Sequence, residues 1–332
     1  MTADTVTSAK QTMPRRRWLQ FSLRALLVLV TLSAIACSWL AVRMQDARRQ
    51  REAANALVKL GGSVEWSQAS APTWLRSALE EDLFRNVCKV HLCGTTITDA
   101  GLENVVRLQQ LQVLDLRHTQ LGDTGLEHLK GLRKLQGLAL EGTGVSDAGL
   151  EMLGELSELH WLGLAGTRVS GAGLKHLKEL SQLQELCLRN TQLTDAGLEH
   201  LKALSGLHFL DLSRTRVTDA GLERIKDMRR LRTLKLNNTQ ISDAGLEHLK
   251  GLNQLRQLIL DGTQVTDAGL EHLKGLGQLQ SLDVEDTGIT DAGLEQLEGL
   301  TQLHSLYVVG THVTEAGVKR LRQALPKCGV AR

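Results

Sequence analysis

Eleven histidines and a recurring aspartate are the residues of this 332-residue chain best suited to chemistry. Five of the histidines (His128, His176, His200, His248 and His272) share one sequence context beside Glu and Lys. A row of imidazoles is a conceivable metal ladder, but their neighbours offer no close second ligand for a tetrahedral site. A solvated face is the simpler reading. The aspartates recur singly at long intervals, so they do not form the paired carboxylates of acid–base catalysis. Gly142-x-Gly144 lacks the rest of a dinucleotide fingerprint, and neither a zinc-binding His pair nor a phosphate-binding loop occurs. Cys88 and Cys93 lie about 16 Å apart along an extended segment, too far to bridge, and Cys187 is remote from both. These residues point to a non-enzymatic chain without cofactor, metal or internal disulfides.

The positions of the aspartates reveal the elements that hold them. Asp-Ala-Gly-Leu or a close variant begins at 99, 123, 147, 171, 195, 219, 243, 267, 291 and 315, always 24 residues apart. Gly is present in all ten copies, from Gly101 to Gly317, and Thr in all ten at another site, from Thr95 to Thr311. A fixed period in this range marks a solenoid. In the unit Leu111–Lys134, Leu111-x-x-Leu114-x-Leu116 predicts a short strand with alternate residues in the core. Thr119 falls at the turn, where its hydroxyl can satisfy backbone groups. A Ser/Thr followed by Asp suits a helix start, and Leu126, Leu129 and Leu132 form one apolar stripe. The glycine column predicts close backbone approach or an unusual φ.

The pattern L-x-x-L-x-L-x-x-T-x-[ILV]-[ST]-D-A-G-L resembles the leucine-rich repeat, with Thr where Asn or Cys is common. It is most similar to the Cys-containing subclass of F-box adaptors, although no F-box module precedes Val87, and to 24-residue arrays of bacterial membrane-anchored proteins. The segments Phe21–Leu32, Leu60-Gly-Gly-Ser-Val, Pro72-Thr-Trp-Leu-Arg and Ala324-Leu-Pro-Lys-Cys328 carry the second resemblance. It implies an α/β leucine-rich repeat solenoid: ten 24-residue repeats, a parallel concave sheet, short helices on the convex face, and one transmembrane helix before them. The family implies an interaction scaffold and says little about the ligand.

The amino-terminal region follows different physics. Residues 1–60 hold ten basic and three acidic residues, net +7, which leaves net −5 for the remainder of a chain whose total is +2. Eighteen uncharged residues, Ala25–Val42, are long enough to cross a bilayer, with Trp18 and Trp39 near the ends and arginines on both flanks. A retained single-pass anchor fits best; a cleaved signal peptide and a lipoprotein site at Cys37 are the alternatives. Basic residues on the two sides balance, so orientation stays open. The organisation expected is a basic tail at 1–17, an anchor in the bilayer at 18–42, a juxtamembrane helix at 43–62, an amino-terminal cap at 63–86, the array at 87–326 and a tail at 327–332. The cap is read on Pro72, Trp74, Leu75, Ala78, Leu79, Leu83 and Phe84. At the far end Val318, Leu321 and Leu325 face inward.

Aromatic residues are only 3% of the chain, too few for a layered enzyme core. Function is therefore expected where the repeats differ, in the outward strand columns. One column runs Lys89, Val113, Gly137, Trp161, Glu185, Phe209 and onward to Ser305; the next runs from His91 and Asp115 through Cys187 and Asp211 to Tyr307; a third includes Arg117, Glu141 and Arg189. Trp161 and Phe209, with Arg189, Glu185, Asp211, Arg117 and Asp115 around them, form the expected contact patch for a protein or peptide, since exposed Trp and Arg dominate many interfaces. A glycan or peptidoglycan ligand is the alternative. The acidic array lacks the basic stripe that nucleic acid requires.

Overall fold

The computed structural model describes residues 23–69, 71, 73, 79 and 81–332, in two compact units, Met1–Asp46 and Ala47–Arg332. Trp18, Pro72, Trp74, Leu75, Ala78 and the basic tail lie outside the described residues. One helix, α1 (Leu23–Lys59), contributes to both units. In the first unit its apolar side chains are exposed, among them Leu26, Leu29, Leu32 and Ile35. The hydroxyls of Thr31 and Ser33 donate to the carbonyls of Val28 and Val30 at 2.9 and 2.8 Å, so they need no water. With a mean hydropathy of 2.4 over its most apolar 18 residues, α1 is long and apolar enough to cross a membrane.

In the second unit the far end of α1 closes the array. Ala53, Ala54 and Leu57 are buried with the first Leu and Val residues of the repeats. Gln50 secures the entry to the first strand: its Oε1 accepts from the Val87 N–H at 3.0 Å, and its Nε2 donates to Asn86 Oδ1 at 3.1 Å. Gly61 (φ 89°) ends the helix, its N–H bonding the Val58 carbonyl, a left-handed stop that glycine adopts without strain. Of the cap residues read from the sequence, Phe84 is buried and Leu79 and Leu83 are half-buried.

The sheet has twelve strands in chain order. They are β1 (Ser63–Trp66), β2 (Val87–His91), β3 (Val113–Asp115), β4 (Gly137–Ala139), β5 (Trp161–Gly163), β6 (Glu185–Cys187), β7 (Phe209–Asp211), β8 (Thr233–Lys235), β9 (Gln257–Ile259), β10 (Ser281–Asp283), β11 (Ser305–Tyr307) and β12 (Gly329–Ala331). The pairings from β2 to β12 are parallel and in register at the 24-residue period; β1 alone runs antiparallel, against β2. The ten repeat strands thus gain a partner at each end, and residues 327–332, set apart from the array in the sequence, supply β12. Leu114, Leu138, Leu162 and their equivalents point inward and are buried, as are Leu126 and Leu129 on the 3₁₀ segment Thr124–Leu129 opposite the sheet and Leu132 in the loop that follows it.

Two columns acquire a meaning that the sequence leaves open. The aspartates do more than start helices: each bridges to the next repeat. Asp195 accepts from the Thr218 N–H at 2.8 Å and the Thr218 hydroxyl at 2.7 Å. Asp219 does the same with Ser242 at 2.8 and 2.6 Å. The glycine column follows from these bridges, because a Cβ at Gly221 would stand 2.4 Å from the Asp195 carboxylate. Of its two expected causes, close approach is the one found. Where Gly171 replaces Asp, the carboxylate is absent and the backbone closes in, so that a Cβ at Gly197 would stand 2.3 Å from the Gly171 Cα.

The threonine hydroxyls each donate within their own turn, as Thr191 does to the Leu188 carbonyl at 2.7 Å, and eight of these residues, including Thr191, are at most 7% exposed. The residue before each Thr has positive φ in all ten copies: five Gly, with His118, Asn190, Arg214, Asn238 and Asp286 in the others. Such a conformation costs a non-glycine residue roughly 1–2 kcal/mol.

Two outcomes follow for urea unfolding. Asp219→Ala leaves the Ser242 N–H and hydroxyl without their acceptor and is expected to lower stability by about 1–3 kcal/mol; an unchanged midpoint would refute the bridging role. Arg214→Gly relieves a left-handed site that suits Arg poorly and is expected to raise stability by about 1 kcal/mol.

Candidate functional site

Strand alternation and strict register place the expected contact columns on the open face of the sheet. Lys89, Val113, Gly137, Trp161, Glu185, Phe209 and Thr233 align across β2–β8, as do His91, Asp115, Ala139, Gly163, Cys187, Asp211 and Lys235. The structure divides the expected patch. Trp161 leans back over β4, its indole nitrogen only 2.1 Å from where a Cβ on Gly137 would sit. It joins Asp115 and Arg117 in a cavity of about 240 Å³, also lined by His91, Val113, Ala139 and Glu141. Phe209 stands with Lys235 instead, whose ammonium lies 5.3 Å from the ring centroid, within the range of a cation–π contact. Glu185 and Arg189 lie on the rung between the two rings, exposed and making no ion pair or side-chain hydrogen bond among the described residues.

Electrostatics separate the carboxylates. Asp115 is 6% exposed and is gripped by Arg117 through Nε–Oδ1 at 2.9 Å, Nη2–Oδ2 at 2.7 Å and the backbone N–H at 3.1 Å. Burial opposes its ionisation, but the hydrogen bonds and charge of Arg117 together outweigh burial and hold the carboxyl below its ordinary value. A planar guanidinium meeting a carboxylate at two points is a strong, fixed pair. His91 lies at the edge, 3.3 Å from Glu65 Oε1 and 3.9 Å from Asp115 Oδ2.

Glu141 is different. Its Oε2 is buried without a hydrogen-bond partner, and burial pushes its carboxyl above the ordinary glutamate value. Its side chain fills space that Gly163 leaves, Oε1 lying 2.2 Å from where a Cβ on that glycine would be. Asp211, by contrast, is satisfied by its own turn, accepting from Ser213 N–H at 3.0 Å and Oγ at 2.5 Å. Beside it the Cys187 thiol, 3.8 Å from Oδ2, is pushed up to about 11 by burial, so it stays protonated at neutral pH.

Of the expected patch, the cavity thus brings together Asp115, Arg117 and Trp161, with His91 and Glu141 beside them, while Phe209, Asp211, Glu185 and Arg189 do not line it. Sequence reasoning placed Glu141 in an outward column without making it a site residue. The available signal was subtraction: Gly137, Ala139 and Gly163 are small residues at adjoining outward positions, where a hollow must form. The five recurrent histidines are half-buried, and no cluster of metal-ligating side chains occurs among the described residues.

Comparison with known proteins accords with this architecture. A leucine rich repeat family model matches residues 205–265, and a second matches residues 108–130 and 279–297. The chain is a leucine-rich repeat protein. No curated protein sequence matches this leucine-rich repeat chain. Among solved structures, internalin C2 of Listeria monocytogenes is 24% identical, with a TM-score of 0.50 over 63% of this chain and 84% of its own. A second Listeria monocytogenes internalin is 21% identical over 77% of this chain and 92% of its own, TM-score 0.44. A Leptospira interrogans leucine-rich repeat protein is 16% identical over 69% and 74%, TM-score 0.42. Internalin C2 shares the fold; at this identity it carries nothing about a ligand.

The unpartnered carboxylate has a measurable consequence. Because Glu141 holds its proton more tightly folded than unfolded, its contribution to stability is complete at low pH and is lost as pH rises above 4.5 through the raised folded value. Glu141→Gln is therefore expected to raise the urea midpoint at pH 7 and to lose that advantage below pH 4.5. An equal or lower midpoint at pH 7 would show that the carboxylate is already satisfied.

Proposed function

We propose that this leucine-rich repeat protein is a membrane-anchored interaction scaffold. It holds a protein or peptide on the open face of its sheet, with a cationic side chain of the partner between Trp161 and Glu141. The observation that carries this reading is the buried Glu141 oxygen without a donor, beside an aromatic face. An incoming ammonium or guanidinium would give that oxygen a charge-assisted hydrogen bond and lie against the indole ring. Asp115 does not compete, because Arg117 already occupies it. A cavity of about 240 Å³ suits one side chain, being smaller than the roughly 300–1,000 Å³ of small-molecule sites. Neighbouring exposed groups such as Glu185 and Arg189 would then contact the rest of the partner.

Anchoring is supported by the apolar first half of α1 and by the arginines around it, which suit anionic headgroups. Peptide display against the full chain in lipid nanodiscs tests the reading. Selected ligands are expected to share a Lys or Arg. Their affinity is expected to fall about tenfold or more with Trp161→Ala or Glu141→Gln and to change little with Phe209→Ala. Ligands without a basic residue, or affinities indifferent to both substitutions, would sink it, as would binding confined to a glycan array.

A further inference from the structure

A second hollow lies away from the open face, where loops enter the strands. Two loop positions recur there at the 24-residue period. One runs Gln182, Gly206, Arg230, Gln254 and the other Gln184, His208, Arg232. Backbone hydrogen bonds hold the second set rung to rung: the His208 N–H donates to the Gln184 carbonyl at 2.9 Å, and the Arg232 N–H to the His208 carbonyl at 2.8 Å. In the first set the neighbouring repeats carry Lys134, Glu158, Gln278 and Gln302, so Gly206 is the one position of that column from 134 to 302 with no side chain. Between Gln182 and Arg230 its absence opens a cleft of about 500 Å³.

The chemistry of the lining is one-sided. Arg230 and Arg232 face the cleft together with amides and the Ser181 hydroxyl, and no acidic residue lines it. Neither arginine makes an ion pair or a side-chain hydrogen bond among the described residues. The ring nitrogen Nε2 of His208 lies 3.0 Å from Gln184 Oε1. With His208 donating, the Gln184 amide oxygen is occupied and its NH₂ is left as a donor. In an array whose net charge is −5, two unpaired guanidinium groups and a surplus of N–H donors around one hollow call for an anion. Guanidinium groups bind tetrahedral oxyanions through paired hydrogen bonds.

We propose that the cleft between Gln182 and Gln254 is an oxyanion-binding site, taking a phosphate group free or as a monoester, with Arg230 and Arg232 as its principal ligands and Gly206 making the room. It is independent of the peptide-binding reading, sharing no residue with the cavity around Trp161 and Glu141.

The test is calorimetric titration of the full chain, in nanodiscs of zwitterionic lipid at constant ionic strength, with inorganic phosphate and with glucose 6-phosphate. Saturable one-site binding is expected, weakened about tenfold or more in the Arg230→Gln/Arg232→Gln double variant. Gly206→Gln, which places in the cleft the side chain its column carries at 182 and 254, is expected to abolish it with both arginines intact. Arg229→Gln, outside the lining, is expected to leave it unchanged. Binding of the free ion alone supports a site for inorganic phosphate; binding of the ester as well supports a ligand-borne group. Absence of saturable binding to either probe overturns the proposal. So does wild-type affinity in the double variant when circular dichroism shows that variant folded.

Discussion

The array depends on one hydrogen-bonded bridge, the carboxylate that every repeat but the one at Gly171 extends to the next. Asp147, for example, accepts the backbone N–H of Ser170 at 2.7 Å and its hydroxyl at 2.5 Å. This ties the edge of each rung remote from the strand pairing, so that a repeat is held to its neighbour at two separated lines and cannot twist about either alone. Three recurrent columns are then one device, interrupted only where Gly171 and Glu315 replace Asp and Gly122 replaces Ser or Thr. Asp supplies the acceptor, Ser or Thr supplies two donors, and Gly stands back so that the carboxylate can pass. The leucines fill the interior between the two lines, where stacking similar rungs buries one continuous core. A bridge to a charged acceptor is stronger than a neutral hydrogen bond, which explains why a polar column persists through a fold otherwise built from leucine.

How much of this can be read from the sequence depends on whether a feature repeats. The 24-residue period, the strand columns, the inward leucines and the threonine turns are all legible, because ten copies act as mutual controls. The bridge itself is not, since an Asp at a helix start already has a local explanation in capping and its long-range partner lies 23 residues ahead. The left-handed turn residue is half-legible: Gly, Asn and Asp dominate its column, but Arg214 and His118 conceal it. The twelfth strand is invisible because Gly329–Ala331 carries no repeat consensus, yet it completes the pairing of β11.

The site shows the same division. Register assigns Trp161 and Phe209 to one column two rungs apart, and on that basis they look like one patch. A side-chain direction is not a register property, however. Trp161 turns toward β4 because Gly137 leaves a vacancy there, whereas Phe209 meets Lys235 on the other side. Glu141 enters the site for a related reason, occupying the space above Gly163 at the cost of losing solvent from one oxygen. Asp115 and Arg117, two residues apart and on the same face of the chain, form the one contact of the site that spacing alone could foretell.

A general constraint connects the two hollows. Parallel strands in this sheet stay near 4.8 Å apart, and the carboxylate bridges hold the opposite edge, so the backbone has little freedom to open a cavity by bending. Space for a ligand must come from removing side chains. Gly137, Ala139 and Gly163 remove them on the open face, and Gly206 removes one where the loops enter. In each case the glycine does not need a left-handed backbone; its φ is not positive, so the missing side chain rather than conformational freedom is what the fold uses. What remains around each vacancy then sets its preference. Glu141 is left short of a donor in one hollow, and Arg230 and Arg232 are left short of an acceptor in the other. A near-neutral chain can therefore carry hollows of opposite charge character, because they occupy different rungs of the array, β2–β5 for the one and the loops entering β6–β9 for the other.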